Sequence, residues 1–196
     1  MAKPDQTNPK KEKNKQLKWV LSIFIATIFI SAISTWASEE VMDSSSMGVA
    51  FVILMLIVLV GILFDVVGVA VTSADEKPFH SMAARKVSGA HESIQLLRNA
   101  ERVSSVCNDV GGDICSVVSG SASATIAAQI LANFDFSAPK VVSLIMSALV
   151  AALTVGGKAI GKSVAIRSCT YIVYTAGKVI YFFKHPFGGN RRGRKK

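Results

Sequence analysis

The sequence predicts an all-α integral membrane helical domain, with about four spans and an amphipathic helical hairpin at the cytoplasmic face. Three observations predict it. Residues 47–64 (MGVAFVILMLIVLVGILF) carry no charge, and the apolar pattern continues past Asp65 to Thr72. That run exceeds the roughly 20 residues needed to cross a hydrocarbon core of about 30 Å. The 196 residues are 51% hydrophobic and 18% charged, with a mean hydropathy of +0.43, more apolar surface than a soluble domain of this size needs. The net charge of +9 sits mostly at the two ends, as expected of water-exposed tails beside a membrane.

Residues 1–18 form a basic cytoplasmic tail carrying Lys3, Lys10, Lys11, Lys13, Lys15 and Lys18. The first span covers 19–37. A signal peptide is the rival for this segment, having the same basic start and apolar centre, but Thr35-Trp36-Ala37 is a poor cleavage site. The loop 38–46 (SEEVMDSSS) has three acids and no base. Residues 48–163 make up the transporter-like membrane domain, opened by a second span, 48–72. Next comes a connection holding Lys77, Arg85, Lys86, Arg98 and Arg102.

Within it, 75–102 reads as a hairpin of two short amphipathic helices. Pro78 opens the first, with Phe79, Met82 and Ala83 at helical spacing. Gly89 breaks the run, and Ala90, Ile94 and Leu97 share one side of the second. The third span, 103–131, is weakest by hydropathy, because Asp109 and Asp113 lie near its start. A short loop leads to the fourth span, 141–160. Residues 164–183 read as an interfacial helix with Tyr171, Tyr174 and Tyr181 at headgroup depth. A fifth span there is interrupted by Arg167 and Lys178. Residues 184–196 are a basic C-terminal tail. Cytoplasmic termini and an even number of spans, in the cell (plasma) membrane, place all three basic sections on the inner side.

Several function classes drop out. The tail GGNRRGRKK has no aromatic interleaving and no nucleic-acid-binding fold around it, so the basic ends are assigned to anionic headgroups. Cys107, Cys115 and Cys169 lack metal-ligand spacing. His80, His91 and His185 are scattered, and no catalytic motif or tightly bound cofactor is expected.

The remaining chemistry is acidic and intramembrane. A carboxylate within a span costs about 2.5–3.5 kcal/mol on insertion scales, so Asp65 needs a positive counterpart. Asp65 shares a helix face with Gly61, Gly68 and Thr72. Asp109 and Asp113 lie four apart on the third span, beside Asn108. Hard divalent cations take carboxylate, amide and hydroxyl oxygens, and Asp65, Asn108, Asp109, Asp113 and Thr72 supply them from two spans. The competing possibility is that Lys158 and Lys162 neutralise the acids and only fix packing. A ladder of Gly112, Ser116, Gly120, Ala124 and Ala128 offers close helix approach. Gly156, Gly157 and Gly161 permit either close approach or local unwinding of the fourth span.

With these residues in place, the segment 64–120 resembles the transmembrane domain of the CorB/CorC–cyclin M magnesium transporter family. That family has a span ending like F-S-G-S-E-T-A-L-T-S, and here residues 64–73 read FDVVGVAVTS. Its hairpin motif L-L-E-N-P-E-R matches residues 96–102, LLRNAER. Its G-E-I-L-P-K-T corresponds to residues 157–163, GKAIGKS. Its next span opens with G-N, where Gly111 falls on the asparagine without a gap and Asn108 after a three-residue slip. The chain departs by losing the Ser-Gly-Ser-Glu set and by reversing a charge at Lys158, while gaining Asp65, Asp109 and Asp113. Paired nucleotide-sensing domains are not expected. The resemblance implies a homodimer that transports or exports Mg²⁺ or Co²⁺ as its substrate ion. The alternative is a non-transporting membrane scaffold or interaction protein, its acids paired to lysines.

Overall fold

The computed structural model describes residues 9–43, 45–133 and 139–184. All regular structure among them is helical, in the order α1 Pro9–Asp43, α2 Met47–Ser73, α3 Lys77–Ala84, α4 Ala90–Arg98, α5 Ala100–Ser105, a π-helical segment Val106–Gly112, α6 Asp113–Asn133, α7 Pro139–Arg167 and α8 Cys169–Lys184. Four stretches are long and apolar enough to cross a membrane: Leu17–Met42, Met47–Ser73, Ala100–Asn133 and Pro139–Arg167. Residues 1–8 of the basic N-terminal tail, 134–138 of the third loop and 185–196 of the C-terminal tail lie outside the described residues.

The uncharged run produces α2, 27 residues long and about 40 Å in length. It is the central strut, with α6, α7, α8, α5 and the π-segment packed around it. Two apolar cores form along it. At one end Met42, Ala50, Leu54, Val58, Ala122, Ile126 and Val150 bury one another. At the other, Ala70, Val71, Phe79, Ile94, Leu97, Ala165 and Val173 do so, joining α3, α4 and α8 to the bundle. Asp65 lies between the two cores.

The first span is longer than 19–37, because α1 continues to Asp43. The acidic loop 38–46 therefore shrinks to its last residues, and Glu39 and Glu40 belong to the helix. Packing is the cause: Met42 is fully buried in the first core, and Gln129 Nε2 donates to the Met42 carbonyl at 3.0 Å. Elsewhere α1 exposes Phe24, Ile28 and Phe29, as a lipid-facing helix does.

In α3, Pro78 occupies the first turn, where its missing N–H is no loss. The turn to α4 uses two residues with positive φ, Lys86 (57°) and Gly89 (87°). Gly89 then opens α4, as its position in the sequence predicts.

The fourth span does not unwind at its glycines. α7 runs unbroken to Arg167, and α2 side chains take up the room: a Cβ at Gly161 would meet Val66 Cγ2 at 2.8 Å, and one at Gly157 would overlap Ile62. The helix expected over 164–183 is split, its first residues belonging to α7 and the rest forming α8 after a break at Ser168. With 16 residues, α8 is about 24 Å long, short of a crossing.

Candidate functional site

Asp65 lies on the buried face of α2, with Gly61 one turn before it and Gly68 one turn after. That face is narrow enough for the π-segment to approach closely. A Cβ at Gly112 would overlap the Asp65 carboxylate, and one at Gly68 would overlap the Asn108 amide. Glycine at these two positions is therefore what lets the Asp65 and Asn108 side chains fit between the helices.

The counterpart of Asp65 is Lys158. Its Nζ lies 3.1 Å from Asp65 Oδ2 and 3.7 Å from Asp113 Oδ1, and donates to the Gly112 carbonyl at 3.3 Å. Three oxygens, two carboxylate and one peptide, thus surround one cationic centre. The side chains of Asp65 and Lys158 are 6% and 18% exposed, whereas that of Asp113 is 73% exposed. Asp65 and Lys158 form the buried pair, and Asp113 reaches it from the surface. With two carboxylates and one ammonium the cluster has a formal charge of −1.

Of the five residues proposed as ligands, the structure brings Asp65 and Asp113 to one point. Asn108 sits one turn further along α2, against Gly68. Its Nδ2 donates to Ser104 Oγ at 3.1 Å, while its Oδ1 is buried with no hydrogen-bond partner. Burying an amide oxygen without a donor is unfavourable by about 1–3 kcal/mol.

Asp109 and Thr72 do not join the cluster. Asp109 is exposed and accepts from Ser105 Oγ at 2.6 Å. Thr72 is exposed, its hydroxyl donating to the Val69 carbonyl at 2.9 Å. Among the described residues no group of three or more His, Cys, Asp or Glu side chains is arranged to hold a metal ion. The five-residue ligand set is therefore not assembled. Thr72 shares the Asp65 face but lies two turns further on, in the last turn of α2, and Asp109 lies on an exposed side of the π-helical segment that buries Gly112.

Two features of the site were not anticipated from the sequence. One is the π-helical segment Val106–Gly112, which carries Asn108 and supplies the Gly112 carbonyl. Segments of this kind often mark functional positions within otherwise regular helices. The adjacent pair Gly111-Gly112 was its available signal. The other is a groove of about 270 Å³ between α6 and α7, with Lys158 at one end and Ser116, Ser119, Ser123, Ser147 and Thr154 along it. Of its serines only Ser116 belongs to the small-residue ladder. The ladder itself is packed at Gly112 and open further on, with Gly120, Ala124 and Ala128 exposed.

No family model, no curated protein and no solved structure matches this chain.

Proposed function

We propose that this chain is an integral membrane protein that moves divalent cations, Mg²⁺ first and Co²⁺ second, past Asp65, with Lys158 as a resident counter-ion that the incoming ion displaces. The observation that carries this is the convergence of Asp65 Oδ2, Asp113 Oδ1 and the Gly112 carbonyl on one cationic centre between helices of spanning length. Carboxylate and carbonyl oxygens are the donors that hard cations take. The unpartnered Asn108 Oδ1 supplies a further oxygen one turn away.

A resident lysine solves a physical problem of such a site. A bare carboxylate at this depth is expensive, and the ammonium covers Asp65 when no ion is present. The stem of Lys158 is flexible, and the groove beside it leaves room for the head to move. The site is then never uncompensated during an exchange. In this reading both termini face the cytoplasm across the plasma membrane, anionic headgroups meet the basic ends, and two copies associate through the exposed part of the small-residue ladder. The whole is a minimal transporter resembling CorB.

A second reading is favoured by the same 3.1 Å pair. A tethered ammonium competes with free ions at high effective concentration. If nothing displaces it, the pair is permanent and the protein is a non-transporting membrane scaffold.

Magnesium flux in proteoliposomes separates the two. Transport requires uptake above protein-free vesicles for the native chain, and a fall to that background for Asp65→Asn and Asn108→Ala. Background flux in the native chain and in Asp65→Asn alike selects the scaffold.

A further inference from the structure

We infer that the cleft between α2 and α8 is a site for an anionic phospholipid, with an acyl chain in the cleft and the headgroup phosphate at Lys86 and Lys178. The inference rests on α2 crossing a bilayer and stands whether or not the protein moves ions. The cleft holds about 450 Å³ between Leu63, Val66 and Val67 of α2 and Ile172, Ala176 and Ile180 of α8. No polar atom lines it, and the hydroxyl of Thr175 on its wall donates to the Tyr171 carbonyl at 2.8 Å. On α2 its residues stand six to ten positions before Ser73, about 9–15 Å of helix. That is the half of the hydrocarbon core nearest α3 and α4.

The packing of α8 says which side of it meets lipid. Ser93 Oγ of α4 donates to the Val173 carbonyl at 3.2 Å, and a Cβ at Gly177 would overlap the same hydroxyl. Val173 and Gly177 therefore face α4. On the side of α4 opposite Ser93, His91, Gln95 and Arg98 are exposed, the polar face of a helix that meets water. Ile172, Thr175 and Val179 of the cleft lie on a different face of α8. The order across this part of the molecule is thus water, α4, α8 and cleft. Leu63 lines the cleft, and Leu59, one turn before it, is exposed. The cleft wall runs on into the lipid-facing side of a helix of spanning length.

Charge selects the headgroup. The backbones of α8 and of the α3–α4 turn touch where a Cβ at Gly89 would lie 2.8 Å from the Lys178 Cα. Lys178 adjoins Val179 of the cleft wall, and Lys86 stands three residues before Gly89 with Arg85 beside it; all three cations are exposed. Glu92, three residues past Gly89, is buried in the first turn of α4 and offsets one of these charges. Basic side chains at the edge of an apolar cleft suit a lipid phosphate, because their stems can lie along apolar surface while the ammonium groups stay at headgroup depth.

Quenching by brominated lipid tests this. In the full chain carrying Trp19→Phe and Trp36→Phe, a single tryptophan is placed in the cleft by Ile180→Trp. The control is Ile160→Trp, at an exposed position of α7 level with the cleft, since the adjacent Gly161 packs on Val66. Both are reconstituted in mixtures of phosphatidylcholine and phosphatidylglycerol, with bromine on the chains of one lipid or the other.

Ile180→Trp is expected to favour phosphatidylglycerol by about five- to thirtyfold, the range for one or two lysines, and Ile160→Trp by less than about twofold. Adding Lys86→Gln and Lys178→Gln should lower the cleft preference at least about fivefold, while quenching by phosphatidylcholine persists. Equal quenching by the two lipids at Ile180→Trp overturns the inference, as does a preference that Ile160→Trp shares or that survives the double substitution. Absence of quenching by either lipid places protein, such as a second copy, in the cleft and overturns it too. If Ile180→Trp does not fold, Val179→Trp on the same wall carries the comparison.

Discussion

Lys158→Met is the most informative single change. It removes the ammonium from a carboxylate whose side chain is 6% exposed, leaving a buried charge with no cation. Breaking such a pair from one side destabilises a protein by about 3–5 kcal/mol. Asp113 adds little to this, since a carboxylate 73% exposed contributes about 0–1 kcal/mol to an ion pair. At about 2–4 °C per kcal/mol for a chain of this size, the midpoint should fall by about 6–20 °C.

Asp65→Asn should cost less, about 1–3 kcal/mol, because the ammonium keeps the Gly112 carbonyl and Asp113. The double variant Asp65→Asn/Lys158→Met should recover most of the loss, since it buries neither charge. The assay is thermal unfolding in detergent, followed with a thiol-reactive fluorophore at Cys107 and Cys115, both partly shielded by the fold. A drop below about 2 °C for Lys158→Met, or strict additivity in the double variant, would refute a buried Asp65–Lys158 pair.

Four further outcomes follow from the packing. Gly112→Ala and Gly68→Ala push a Cβ into the Asp65 carboxylate and the Asn108 amide, and overpacking of this kind costs about 1–3 kcal/mol. Gly120→Ala, whose Cβ meets nothing within 4 Å in its own chain, should leave the fold of one copy unstrained, but on the face proposed for association it should weaken the dimer, read by size-exclusion chromatography in detergent. Gln129→Ala removes the bond to the Met42 carbonyl, worth about 0.5–1.5 kcal/mol. Limited proteolysis between α1 and α2 should accelerate accordingly, by about 2–13-fold if cleavage follows the opened population. Gly177→Val drives a side chain into Ser93 Oγ and should detach α8 from α4, read as faster hydrogen exchange across Ala90–Arg98. Unchanged exchange there would show that α8 does not clamp α4.

Some of this architecture is plain in one dimension. A bilayer-length apolar run has few other uses, so α2 emerges over nearly the expected residues, and Pro78 and Gly89 mark their turns through backbone chemistry alone. The boundaries that failed are those set by partners distant in sequence. Asp43 ends α1 because Met42 finds a place among α2 and α6 side chains, and α7 stays helical through Gly157 and Gly161 because Ile62 and Val66 fill the space beside them. Neither fact is present in the local string.

The candidate site divides in the same way. The sequence by itself determined that a carboxylate stands inside an apolar span and must meet positive charge, because transfer energies depend only on residue type and depth. Only the tertiary structure decided that Lys158 is the charge that meets it, that a π-helical segment brings the Gly112 carbonyl alongside, and that Asp109 and Thr72 stand apart. Those outcomes depend on how each helix is rotated about its axis and, for Thr72, on how far along α2 it lies. That rotation is settled by which small residues let two backbones touch, a property of pairs of helices and not of either one.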